Sequence, residues 1–123
     1  MAEARRGTAR WGEALAAAFL RLKGYRVEAR NWRCSLGEID IIARDRGTLV
    51  FVEVKARTGE SAGPPEEAVD QRKQRRLIQL AQAYLAKCTG QPACRFDVIA
   101  IKGTFPLPRI RHFRDAFRAD GLT

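Results

Sequence analysis

The sequence predicts an α/β fold, a mixed β-sheet flanked by α-helices, in the order α-β-β-β-α-β-β. Three features carry this. Two long segments, Thr8 to Lys23 and Glu66 to Lys87, repeat apolar residues at helical spacing. Between them, Leu49 to Lys55 is an apolar, β-branched run with apolar side chains on both faces over its first half, as a central strand requires. Short turns rich in Gly, Pro and Asp punctuate the rest, and no internal repeat or long linker divides the chain, so residues 1–123 read as a single domain.

In the first helix Trp11, Leu15, Ala18, Phe19 and Leu22 recur at helical spacing, and Gly24 supplies the stop. Tyr25 to Trp32 mixes aromatic and β-branched residues with charges, and the turn Ser35-Leu36-Gly37 leads into Glu38 to Ala43, so both segments read as strands. A turn at Asp45-Arg46-Gly47 precedes the Leu49 strand, in which Val50, Val52 and Val54 share one face and Leu49, Phe51, Glu53 and Lys55 the other. Thr58 to Pro65, rich in Gly, Ser and Pro, is a loop able to close over a site. The second helix carries Val69, Leu77, Leu80, Ala81 and Tyr84 on one row, with Glu66 and Glu67 at the positive end of its dipole. Gly90-Gln91-Pro92 ends it. Arg95 to Ile101 is a fourth strand, Arg109 to Phe113 a short fifth, and Arg114 to Arg118 a last helical turn.

Composition narrows the class. With 46% apolar and 30% charged residues the chain is neither disordered nor collagen-like. Its 23 Lys and Arg against 14 Asp and Glu give a formal charge of +9, which favours a polyanionic partner. The apolar run between Glu13 and Arg21 is too short to span a bilayer, and no other stretch approaches that length, so no membrane is expected. Cys34, Cys88 and Cys94 lack the C-x-x-C spacing of zinc or redox sites and read as free thiols of a reducing compartment, the cytoplasm.

Charged residues inside apolar elements need a reason, because an ionised carboxylate is costly to bury unless it is paired or binds a metal. Glu53 and Lys55 project from one face near the end of the central strand. An even loop between the second and third strands, either Arg46-Gly47 or the four residues Asp45 to Thr48, sets Asp40 opposite Glu53. The four-residue loop is favoured, since Arg suits the first position of a two-residue turn poorly. Two carboxylates so placed repel unless a cation lies between them, and either Lys55 or a divalent ion such as Mg²⁺ fits. Glu13 shares the helical row of Ala16, Ala17 and Leu20, and Lys73 that of Leu77 and Leu80, so both point toward the interior. Arg72, Lys73, Arg75 and Arg76 place four cations in five residues, enough for several phosphates. His112 stands alone and reads as a packing or surface residue, and Asp97 as the finish of a strand.

Glu13, Gly37-Glu38-Ile39-Asp40 and Phe51-Val52-Glu53-Val54-Lys55 together resemble the PD-(D/E)XK nuclease superfamily, most closely its Holliday-junction-resolvase-like branch and, within it, the small bacterial YraN family, described as endonuclease-like. The resemblance extends through Gly24-Tyr25, Arg30-Asn31, Glu67-Ala68-Val69, Arg95-Phe96-Asp97-Val98 and Ala116-Phe117, nearly the whole chain. It implies a restriction-endonuclease-like core in which Asp40 and Glu53 bind the metal, Lys55 orients or activates the attacking water, and Glu13 assists. Ile39 stands where the proline of the superfamily motif would be.

The expected function is therefore metal-dependent hydrolysis of phosphodiester bonds in DNA, branched DNA included, with Mg²⁺ or Mn²⁺ as cofactor and Arg72, Lys73, Arg75 and Arg76 on the nucleic acid. The competing expectation is a non-catalytic nucleic-acid-binding module on the same fold. A homodimer is expected if symmetric junctions are cut, since two strands must then be reached at once.

Overall fold

The computed structural model describes residues 2–57, 69–103 and 107–119, with side chains from residue 10 onward. The elements are α1 (Ala2–Leu22), β1 (Arg26–Cys34), β2 (Gly37–Asp45), β3 (Thr48–Arg57), α2 (Gln71–Leu85), β4 (Cys94–Lys102) and β5 (Arg109–Phe117), the order expected. The strands form one sheet, β1-β2-β3-β4-β5, in which only β3 and β4 run parallel. The crossover between these two contains α2, as a parallel pair requires.

Each face of the sheet carries one helix and one apolar cluster. On one side Ala16, Ala17 and Leu20 of α1 pack with Ile41, Val50, Val52, Ile99 and Ile101. On the other, Leu77, Ile78, Leu80 and Ala81 of α2 pack with Phe51, Phe96 and Val98. Strand β3 supplies both clusters through its alternating side chains, which is why its apolar run is continuous. The tyrosine N–H after Gly24 (φ +94°) closes onto the Leu20 carbonyl at 2.9 Å, ending α1 at the predicted glycine. At Gly12 the helix comes so close to β3 that a Cβ would lie 2.5 Å from the Ala56 Cβ, and this contact brings Glu13 down onto the sheet.

Several local expectations are corrected. The β2–β3 connection is the two-residue turn Arg46-Gly47, with Asp45 paired to Thr48, and Arg46 accommodates it at φ +61°. Helix α2 starts at Gln71, because Asp70 caps it by accepting from the Lys73 N–H at 2.9 Å; Val69 precedes the helix and is buried. The expected loop at Thr58 to Pro65 and the acidic pair Glu66 and Glu67 lie outside the described residues. Arg114 to Phe117 continue β5 past an irregularity at Asp115 (φ +53°) and form no helical turn.

Asp97 and His112 carry more than expected. Asp97 is 1% exposed and accepts from Arg95, from the Asp115 backbone N–H at 3.0 Å, and pairs with His112 Nε2 at 2.7 Å. Burial alone would raise its pKa, but these donors hold it below the usual carboxylate range. Arg95 also reaches Asp45 and the Tyr25 hydroxyl. The network fastens edge strand β5 to β4 and to the α1–β1 corner. No helix among the described residues is long and apolar enough to cross a membrane.

Candidate metal centre

The site forms where the regular sheet breaks. The β2–β3 ladder is regular from Asp45↔Thr48 to Ile41↔Val52 and then stops. Beyond it the Val54 N–H donates not to a backbone carbonyl but to Asp40 Oδ2, at 2.8 Å. Apolar packing shows the same break: Ile42 and Ile39 both lie in the α2-side cluster and Ile41 in the α1-side one, so strict alternation slips by one residue around Asp40. Strand β1 slips in step, with Ala29 and Trp32 both against the α2-side cluster, and the residue between them on the register with Asp40 is Asn31, at φ +53°. Asn is among the few residues that tolerate that conformation inside a strand.

The slip gathers acids from two elements. Ligand oxygens of Glu13, Glu38 and Asp40 all lie within 4.8 Å of one another. Glu13 is 5% exposed, and its Oε1 is buried with no hydrogen-bond partner. Burial pushes the Glu13 carboxyl up, against the opposing pull of Arg30 and a hydrogen bond from Asn31. Asp40 is pushed up to about 7, first by burial and then by the charge of Glu53, with Glu13 and Glu38 adding to it. Such a set of hard oxygen donors, one of them unpartnered, fits a divalent cation of the Mg²⁺ or Mn²⁺ kind.

Glu53 stands beside this group, outside its tightest cluster. Its Oε1 meets Lys73 Nζ at 2.7 Å and Lys55 Nζ at 3.5 Å. Lys73 is thus delivered from the first turn of α2 onto the end of β3, as its place on the apolar row predicts. Burial lowers the Lys55 pKa and the nearby Lys73 lowers it further, whereas Lys73 is raised because, against burial, its bond to Glu53, its contact with Lys55 and the charges of Glu53 and Asp40 together prevail. Arg72, Arg75 and Arg76 are exposed on α2, and the Arg76 Cδ lies 3.6 Å from where a Cβ on Gly37 would stand.

The structure therefore brings together Glu13, Asp40, Glu53, Lys55 and Lys73, and leaves the three arginines on the adjoining surface. Sequence reasoning missed Glu38 and Asn31 as members. Glu38 had a signal, an acid two residues before Asp40, but it pairs with Arg33 at 2.6 Å and looks like a strand-end charge until the slip is known.

Relatives place the chain. A family model described as "Uncharacterised protein family UPF0102" matches residues 12–101. The chain is 52% identical over 110 residues to a UPF0102 protein of Symbiobacterium thermophilum, covering 88% of this chain and 93% of that one. It is 52% identical over 119 residues to a UPF0102 protein of Ralstonia nicotianae, covering 90% and 88%. A UPF0102 protein of Pelotomaculum thermopropionicum is 46% identical over 123 residues, covering 95% of this chain and all of that relative. The matched span holds every acid and lysine of the centre, and the chain belongs to the UPF0102 family.

Proposed function

We propose that the protein is a metal-dependent endonuclease of the PD-(D/E)XK kind, in the Holliday-junction-resolvase-like branch, hydrolysing phosphodiester bonds in DNA. The observation that carries this is the buried carboxylate group with one orphaned oxygen, Glu13 Oε1, beside an Asp40 held near neutrality. The cost of burying carboxylates so close together is relieved by a bound cation, and no described group hydrogen-bonds Glu13 Oε1.

Asp40 and Glu53 would hold Mg²⁺ or Mn²⁺, with Glu38 adjoining. Once bound, such an ion lowers the pKa of water and offsets charge growing on the phosphate oxygens. The chain's own groups do the rest. Lys55, its ammonium depressed by burial, orients the attacking water. Glu13, its carboxyl raised and one oxygen free, accepts the water's proton. Lys73, which neutralises Glu53 in the free protein, turns to a phosphate oxygen, and Arg72, Arg75 and Arg76 bind the neighbouring backbone. The free thiols Cys34, Cys88 and Cys94 support a reducing compartment, the cytoplasm, for this activity.

Incubation with branched, duplex and single-stranded DNA tests the reading. Cleavage is expected with Mg²⁺ or Mn²⁺, lost on adding EDTA and lost in Glu53→Ala. Salt-sensitive binding with no cutting of any substrate would instead leave a non-catalytic binding module. A two-fold dimer accompanies the reading if symmetric junctions are the substrate, and size-exclusion mass with and without DNA decides it.

A further inference from the structure

Beyond the carboxylates the α2-side face of the sheet turns cationic. Ala56, Ile101 and Ile110 pack on the α1 side, so their strand neighbours Arg57, Lys102, Arg109 and Arg111 project from the opposite face, the one that carries Glu53 and Lys55. Register places Arg57 directly opposite Lys102 and Lys102 directly opposite Arg109. All three are exposed, and none has a carboxylate partner among the described residues. Like charges in directly opposed positions destabilise a sheet.

The far end of the sheet is built the other way. There Arg44 pairs with Glu28, Arg95 with Asp45 and Asp97, and Arg114 with Asp45. Among the described residues of β3 to β5, cations without a carboxylate partner thus collect at the end of the sheet where the acids of the centre lie. Strands stand about 4.8 Å apart, so the row spans roughly 10 Å, the length over which one DNA strand presents about three phosphates.

We infer that Arg57, Lys102, Arg109 and Arg111 form a second phosphate-binding platform, on the flank of the centre opposite the arginines of α2. Arg76 lies against Gly37 of β2, while the platform lies on β3 to β5, so Glu53 stands between the two cation groups. A nucleic-acid backbone held by both passes through the centre and continues on each side. This rests on the nuclease reading and deepens it: the substrate is DNA engaged internally, not by its end.

The test compares wild type with Lys102→Gln/Arg109→Gln/Arg111→Gln, reading anisotropy of a labelled duplex and a labelled four-way junction in EDTA from about 50 to 200 mM salt. Loss of three phosphate contacts is expected to flatten the log–log salt slope by about two to three and to weaken binding about tenfold or more. Because like-charge repulsion is removed, the midpoint of thermal unfolding is expected to stay equal or rise, and the single variant Lys102→Gln, at the centre of the row, to raise it. A folded triple variant with an unchanged salt slope overturns the platform, and if wild type still cleaves DNA the nuclease reading survives. Wild type that binds no DNA overturns both. Binding to phosphatidylserine vesicles that the triple variant loses, with DNA affinity unchanged, overturns the platform in favour of a membrane surface.

Discussion

Asp40→Asn removes one negative charge from the centre and keeps an amide oxygen for the Val54 N–H. Its effect on stability follows from linkage. The Asp40 carboxyl rises from its usual 3.8 to about 7 on folding, so the folded chain holds a proton that the unfolded chain releases. A raised carboxyl destabilises the folded state as pH climbs from about 4 to about 7, after which the penalty is constant. Its full size is ~4 kcal/mol. The variant escapes it, so its advantage over wild type in EDTA is expected to be below ~1 kcal/mol at pH 4 and to grow to ~2–4 kcal/mol at pH 8. Urea unfolding of both proteins across that range is the assay, and the difference between them cancels the titration of groups remote from the centre. Mg²⁺ at pH 8 is expected to stabilise wild type and not the variant. A stability difference that does not change with pH, or a variant weaker than wild type at pH 8, would refute the reasoning.

Lys73→Met leaves Glu53, 8% exposed, with only the more distant Lys55. A loss of about 1–3 kcal/mol is expected by urea unfolding in EDTA, partly recovered by Mg²⁺, and no loss would mean that Lys55 suffices. Asp97→Ala strips the shared acceptor from Arg95, His112 and the Asp115 N–H. It is expected to cost about 3–5 kcal/mol and to speed amide exchange in β5 before β2 or β3; uniform exchange would deny the network its local role. Gly12→Ala gains helix propensity of up to about 1 kcal/mol yet meets Ala56 at 2.5 Å, so a net loss of about 1–3 kcal/mol is expected, relieved by adding Ala56→Gly. A stabilised single variant would show that α1 shifts freely.

Much of this was legible in one dimension. The apolar runs of β3 and the helical rows of α1 and α2 depend on side-chain period, and from them followed the two-sided core, the shared face of Glu53 and Lys55, and the inward placement of Glu13 and Lys73. The β2–β3 register was also readable, because either even loop gives it, although the turn itself is the shorter of the two. What escaped depends on backbone conformations that carry no periodic signal. The slip of β2 around Asp40, matched in β1 at Asn31, brings Glu38 into the acidic group, and Asp115 at positive φ lies where β5 continues in place of the expected helix. Asp97 looked like a strand-end charge because its partners His112 and the Asp115 N–H come from another strand, β5. The start of α2 was misjudged because Asp70 lies inside a helix-compatible run and caps it from within.

The turn Arg46-Gly47 acts as a ruler for chemistry that happens far from it. Five residue pairs separate it from the break at Asp40, and every one inherits its alignment from that turn. Surface turns ordinarily accept an inserted residue at little cost. Here one extra residue would slide β2 past β3 by a step, send Ile41 and Ala43 out of the α1-side core, and swing Asp40 away from Glu53. Length at this exposed, unreactive corner is therefore under the same constraint as the acids themselves, and a relative with a longer turn should have lost the centre or restored its alignment with a compensating bulge.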